Sequence, residues 1–193
     1  QGVLYGPPGT GKTYLARFIA KHLIGGGYGM MDIIQFHPSY AYEDFMQGIR
    51  PKTVGEDKSL IYELEKGRFV NFCEEAKLRD GDSVLIIDEI NRANLSRVFG
   101  ELMYLLEYRD ESIPLSAGTK FKIPENVYII GTMNTADRSI ALVDHALRRR
   151  FAFMELGPNY QILERFFEDK PFDPGGLIDV LEELNDHIGD KNY

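Results

Sequence analysis

Gly6-Pro7-Pro8-Gly9-Thr10-Gly11-Lys12-Thr13 is the stretch on which the reading of this chain turns. It fills G-x-x-x-x-G-K-[ST] at every position, with a short apolar strand, Gly2 to Tyr5, before it and a helical pattern after it. Glycines let consecutive backbone N–H groups turn inward around phosphate oxygens, and the helix that follows adds its positive N-terminal end. Lys12 reaches the β- and γ-phosphates, and the Thr13 hydroxyl is placed to ligate Mg²⁺. The expected nucleotide cradle is therefore Gly6, Pro7, Pro8, Gly9, Thr10, Gly11, Lys12 and Thr13, with Tyr14 beside it.

A second element complements the first. Val84-Leu85-Ile86-Ile87-Asp88-Glu89 is an apolar strand that delivers two adjacent acids at its C-terminal edge. Asp88 is expected to hold Mg²⁺, directly or through water, opposite Thr13. Glu89 is expected to polarise the attacking water as general base. Adjacent acids also occur in solvated turns, but a separation of about two βα units from the first motif suits a shared site.

The rest of the chain frames these motifs. Leu15, Phe18, Ile19 and His22 or Leu23 recur at helical spacing until Gly25-Gly26-Gly27. Asp32 to Phe36 reads as a buried strand, and Pro38 to Gly55 as a short helix plus loop, broken by Gly48 and Pro51. Alternation over Leu60 to Lys66 predicts a strand. Phe69, Phe72, Cys73 and Ala76 make one helix face, with Cys73 as core rather than nucleophile. Leu95, Val98, Phe99, Leu102 and Leu106 make another helical stripe, and Ser112 to Pro124 a hairpin with Ala117-Gly118 at its tip. A strand at Val127 to Ile130, a helix near Ile140 to Leu147 and a strand at Phe151 to Leu156 follow. Apolar strands alternating with helices indicate an α/β fold with a parallel sheet covered on both faces. From residue 158 the pattern is helical: Ile162 to Phe167, a Pro/Gly break, then Leu177 to Ile188.

Two further strings gain meaning from a family resemblance. With the motifs above, the chain resembles the AAA+ P-loop NTPases, which implies a three-layer α/β/α core with a mainly parallel five-stranded sheet. The core is expected over residues 1–157, and residues 158–193 as the start of a helical lid that is cut short. In such proteins a polar residue ending a strand senses the γ-phosphate or the lytic water. Asn134 of Gly131-Thr132-Met133-Asn134 has that chemistry, although an Asn after a strand is also a common turn residue. Ala146-Leu147-Arg148-Arg149-Arg150-Phe151 occupies the arginine-finger position, where a cation reaches a neighbouring subunit's γ-phosphate. Arg150 is the first choice and Arg149 the second. The three cations could equally complement a helix C-terminus.

Several strings resemble the McrB family within that class. They are Asp88-Glu89-Ile90-Asn91-Arg92-Ala93-Asn94-Leu95-Ser96, Met133-Asn134-Thr135-Ala136-Asp137-Arg138-Ser139, Phe36-His37 with Tyr42-Glu43-Asp44-Phe45, and Pro124 to Gly131. The likeness covers roughly residues 2 to 156, and the segment Asp57 to Lys66 departs from it. It implies a GTPase motor of a modification-dependent restriction system, assembled as a homo-oligomeric, hexameric ring. An McrC-like endonuclease subunit would be its partner, and DNA would be read through a separate domain. GTP rests on the resemblance alone. An ATP-dependent remodeller of the MoxR or dynein kind is the alternative, and a nucleotide-switched assembly module a third reading. Asp137 and Arg138 either join a polar network near the water or cap the next helix.

Bulk properties bound these readings. The chain has 193 residues, 44% hydrophobic and 27% charged, enough for one well-packed domain and little more. A net charge of −8 makes it a poor broad nucleic-acid surface. The single Cys73 excludes an internal disulfide and fits a reducing bacterial or archaeal cytoplasm. No apolar run approaches the length of a membrane span. Gln1 in place of an initiator Met marks the chain as trimmed, so that a leading segment could be missing. His37 and His145 lie at no metal-ligand spacing, and His37 reads as a packing residue.

Overall fold

A computed structural model describes residues 1–55, 58–116, 118–135 and 145–190. Asp57, Ala117, the Ala136–Ser139 part of the Asn-Thr-Ala-Asp loop, and the start of the helix expected near Ile140 lie outside the described residues. The chain divides into two compact units, Gln1–Leu156 and a second that begins at Gly157.

Five strands form the central sheet: β1 (Gly2–Gly6), β2 (Met31–Gln35), β5 (Ser83–Asp88), β8 (Val127–Asn134) and β9 (Ala152–Glu155). Their order is β2-β5-β8-β1-β9 and every pairing is parallel. The α/β class and parallel five-stranded sheet expected from the sequence are thus present. From β1 the chain runs through α1 (Lys12–Ile24) to β2, passing over the positions of β8 and β5. Crossing over neighbours in this way opens a crevice at the carboxyl ends of the strands, where open α/β sheets hold ligands. The loop Gly6–Thr13 and the acids Asp88-Glu89 both stand at that edge, with β8 between their strands.

Strand alternation divides the core into two layers. Leu4, Val84, Ile86 and Ile130 face α1 and pack on Ala16 and Ala20. Val3, Leu85, Ile87 and Ile129 point the other way, into a larger cluster with Phe45, Phe69, Phe72, Cys73, Phe99 and Leu102. Each fully buried aliphatic or aromatic side chain contributes about 1.5–3 kcal/mol, so the hydrophobic strands β5 and β8 anchor the sheet. α3 (Arg68–Lys77) buries Phe69, Phe72, Cys73 and Ala76 as its spacing predicts. Burial also pushes the Cys73 thiol pKa well up, which suits a core residue and not a nucleophile.

Four expectations need correction. On α1 the fully buried stripe is Ala16 and Ala20, while Phe18 (61% exposed) and Leu23 point outward. Close packing on the sheet admits only small side chains at the centre of that face, flanked by Leu15 and Ile19. The predicted helix over Leu95 to Leu106 is two short ones, α4 (Leu95–Phe99) and α5 (Leu102–Glu107). Gly100 breaks it with φ +49°, where a Cβ would lie 3.0 Å from the Tyr42 ring. The loop expected after the short helix α2 (Tyr42–Phe45) is instead strand β3 (Gln47–Val54), paired with β4 (Ser59–Lys66). Pro51 is tolerated because each strand of a two-stranded ribbon keeps one open edge that needs no donor. The buried strand expected at Asp32 to Phe36 is the sheet-edge strand β2, in which Ile34 is buried, followed by buried Phe36.

The hairpin near Ser112 to Pro124 is present as β6 (Ile113–Pro114) and β7 (Lys120–Phe121). α6 (His145–Arg148) leads into β9. In the second unit, α7 (Gln161–Phe167) and α8 (Gly175–Asp190) are joined where the Tyr160 hydroxyl donates to the Leu181 carbonyl at 3.3 Å.

Candidate active site

The phosphate loop is shaped by three glycines with positive φ. Gly6 (φ +152°) ends β1 so close to β9 that a Cβ would sit 2.1 Å from the Leu156 carbonyl oxygen. Gly9 and Gly11 both hold φ +84°, yet a Cβ on either would meet nothing within 4 Å. Their constraint is therefore the backbone conformation, and the space in front of them is open to a ligand. Gly11 caps α1 with no side-chain acceptor and no acid in the first turn, so the helix presents an unneutralised positive end. An open cradle of N–H groups at such an end fits a polyphosphate.

Lys12 is buried, and its ammonium donates to the carbonyls of Gly6 (3.0 Å) and Pro7 (2.6 Å) across the loop. Burial lowers its pKa, opposed by the charges of Glu89 and Asp88. Thr10 closes the turn by donating to the Pro7 carbonyl at 3.0 Å. Pro7, Pro8 and Tyr14 are exposed, Tyr14 at 78%, on the outer rim.

Strand pairing brings the acids to the loop. The Thr13 hydroxyl donates to Asp88 Oδ1 at 2.9 Å, joining residues 75 apart in sequence. The same oxygen accepts from the Thr132 hydroxyl, and Thr132 Oγ1 in turn accepts from the Glu89 N–H at 3.3 Å. Thr132, which links the two acids, is a candidate site residue that the sequence reading passed over. Its signal was present, since it stands two residues before Asn134 and so shares one face of β8. A threonine hydroxyl and one carboxylate, with phosphate oxygens and waters completing the shell, fit Mg²⁺. When bound there, that ion would offset the charge on the phosphates.

Glu89 stands in the left-handed region (φ +54°), just past β5. Asn134 Nδ2 donates to its Oε1, while Oε2 is buried with no hydrogen-bond partner. Arg92 Nε lies 3.5 Å from Oε2 as an ion contact. Asn134 and Arg92 thus fix the orientation of a carboxylate whose chemistry is that of a general base. Gly6 and Asn134 are register partners on β1 and β8, which is why residues 128 positions apart by numbering meet at one site.

The arginine run behaves less uniformly. Arg148 and Arg149 are exposed, whereas the Arg150 side chain is 16% exposed and pairs with Glu107 at 2.6 Å in the same chain. The expected sites thus separate into an assembled group (Gly6–Thr13, Asp88, Glu89, Asn134) and a distant one, Arg149 with Arg150. His37 packs edge-on against Tyr40 with ring centroids 5.4 Å apart. Among the described residues, no group of three His, Cys, Asp or Glu could hold a metal ion, and no helix is long and apolar enough to cross a membrane.

A glycine-rich loop ending in Lys12-Thr13, acids on a strand one removed from it and a polar residue on the strand between define a P-loop NTPase of the AAA+ class. That is a nucleotide- and Mg²⁺-using hydrolase core. The chain belongs to the AAA domains of the dynein-related subfamily, which match residues 2–151. The McrB resemblance also stands. The chain is 46% identical over 201 residues to the type IV methyl-directed restriction enzyme EcoKMcrB subunit of Escherichia coli strain K12, an alignment covering 96% of the chain and 42% of the relative. It is 30% identical over 190 residues to the type II restriction enzyme BsuMI component YdiS of Bacillus subtilis strain 168, covering 78% and 55%. Protein SAV of Sulfolobus acidocaldarius is 31% identical over 182 residues, covering 93% of the chain and 18% of the relative. The chain therefore spans about half or less of the length of these relatives.

Proposed function

We propose that this chain is the GTP-hydrolysing motor of a modification-dependent DNA restriction system in a bacterial or archaeal cytoplasm. The observation that carries the reading is the 46% identity to a methyl-directed restriction subunit across nearly the whole chain. The assembled group of Lys12, Thr13, Asp88, Glu89 and Asn134 supports hydrolysis as the source of work. Lys12 and the loop hold the triphosphate, Thr13 and Asp88 hold Mg²⁺, Asn134 orients Glu89, and Glu89 takes the proton of the attacking water. Arg149 or Arg150 of a neighbouring copy completes the site, so the working form is a ring, read as a hexamer. Its partners are an McrC-like endonuclease subunit and DNA bound through a separate domain. The helical unit that begins at Gly157 belongs to a helical lid subdomain.

Melting shifts with GTP and ATP at matched concentrations test the nucleotide, because a specific ligand stabilises by RT ln(1 + [L]/Kd). A larger shift with GTP is expected. A larger shift with ATP would overturn the GTPase reading in favour of an ATP-dependent remodeller.

A further inference from the structure

We infer that Glu107 is a positioning residue for the arginine finger: it clamps Arg150 within its own subunit so that Arg149 projects toward the neighbour. The inference rests on the proposed finger acting in trans, and assigns it a cis support that the motif itself does not contain.

The geometry runs from the ends of the arginine segment inward. Leu147 is 1% exposed and Phe151 4% exposed, so both flanks of the run are set in the core. Phe151 stacks parallel on Phe99 of α4, with centroids 6.5 Å apart. The N–H groups of Arg150 and Phe151 both donate to the Leu147 carbonyl, at 2.9 and 3.0 Å, which closes a tight turn. The Arg150 guanidinium then reaches Glu107 Oε2 at 2.6 Å, at the end of α5. An arginine that is mostly buried and paired within its own chain cannot extend to another subunit without breaking that pair. Arg149, held next to it on the same turn, is exposed.

Glu107 also ends the segment that starts at the acids. From Asp88-Glu89 the chain continues through the short 3₁₀ turn Ile90–Arg92, then α4 and α5, and stops at the Arg150 contact. One continuous stretch therefore joins a subunit's own acids to the cation it offers its neighbour. A shift of that stretch would be felt at the finger through the Glu107–Arg150 pair.

The test uses two kinds of full-length subunit mixed under assembling conditions, with assembly followed by light scattering. The donor carries Lys12→Ala, which disables its own site, and keeps its arginines. The acceptor keeps Lys12 and carries Arg149→Ala and Arg150→Ala. Turnover then arises only where a donor's arginines complete an acceptor's site. Adding Glu107→Gln to the donor is expected to lower turnover by roughly tenfold or more, the scale of a misplaced catalytic group, with KM unchanged. Glu107→Asp, which keeps the charge with a shorter reach, is expected to fall between, and replaces the Gln variant should that one fail to assemble. On the acceptor, Glu107→Gln has no finger left to position and is expected to change nothing. An unchanged rate with the substituted donor, or an equal loss with the substituted acceptor, would overturn the inference. An assembled but inactive mixture with the unsubstituted donor would instead overturn the trans-acting finger, before Glu107 is touched.

Discussion

Thr132→Val is the sharpest probe of the site's polar wiring. Thr132 is 2% exposed, and valine matches its shape, so the substitution opens no cavity and removes only a hydroxyl. That hydroxyl donates to Asp88 Oδ1 and accepts from the Glu89 N–H. A hydrogen bond to a charged group contributes about 1.5–3 kcal/mol, and a neutral one about 0.5–1.5 kcal/mol. Together the loss is about 2–4.5 kcal/mol, with the Glu89 N–H left without its acceptor. For a chain of this size that corresponds to a melting temperature lower by roughly 5–15 °C. Thr13 still donates to Asp88, but the carboxylate loses its second restraint, so the Mg²⁺ concentration for half-maximal turnover is expected to rise. Thr132→Ser keeps the hydroxyl and loses one methyl, at about 1 kcal/mol, and is expected to retain the parent Mg²⁺ dependence. Thermal melts and Mg²⁺ titrations of turnover read both variants. A valine variant with parent-like melting and Mg²⁺ dependence would show that the Thr132 hydroxyl restrains neither Asp88 nor Glu89.

Three further outcomes are expected. Glu89→Gln retains an oxygen for Asn134 and should bind nucleotide normally while hydrolysis falls about 10²–10⁴-fold, whereas Lys12→Ala should lose binding; equilibrium titration beside single-turnover rates separates the two. Gly6→Ala forces a Cβ to 2.1 Å from the Leu156 carbonyl at φ +152°, and is expected to cost about 3 kcal/mol or more in denaturant unfolding. Tyr40 buries a hydroxyl with no hydrogen-bond partner, and burial pushes its pKa up to about 12. The folded state therefore holds that proton more tightly than the unfolded chain, so stability is full below about pH 10 and falls as pH rises toward 12. Tyr40→Phe keeps the stacking on Phe36, centroids 4.6 Å apart, and should be neutral or stabilising at pH 7 while flattening that alkaline loss.

Much of the site could be read directly because its chemistry is local. Gly6 to Thr13 is one contiguous loop, and Asp88-Glu89 is one strand end, so the roles proposed for them follow from residue type and spacing. The sheet was legible because strands such as Val84 to Ile87 are apolar on both faces and alternate with helical patterns, as in a covered parallel sheet. Where the reading missed, a distant neighbour had decided the outcome. The spacing of Phe18 and Leu23 matched a core stripe, but close contact with the sheet selected Ala16 and Ala20. The stripe from Leu95 to Leu106 kept its buried positions, yet the Tyr42 ring against Gly100 marks where the helix divides. Gly48 and Pro51 read as breakers until β4 supplied a partner strand.

A P-loop NTPase is legible from residue type alone, since eight consecutive residues and one acid pair spell out the phosphate-loop and strand-end motifs. How those parts are wired depends on tertiary packing: Thr132 is the hydroxyl between Asp88 and Glu89, Asn134 donates to Glu89, and Arg150 turns inward to Glu107 while Arg149 is exposed. These are contacts between residues 43 to 45 positions apart in numbering, joined by strand order and helix packing. Three adjacent arginines are chemically identical in sequence. Burial and a carboxylate from another helix make them different.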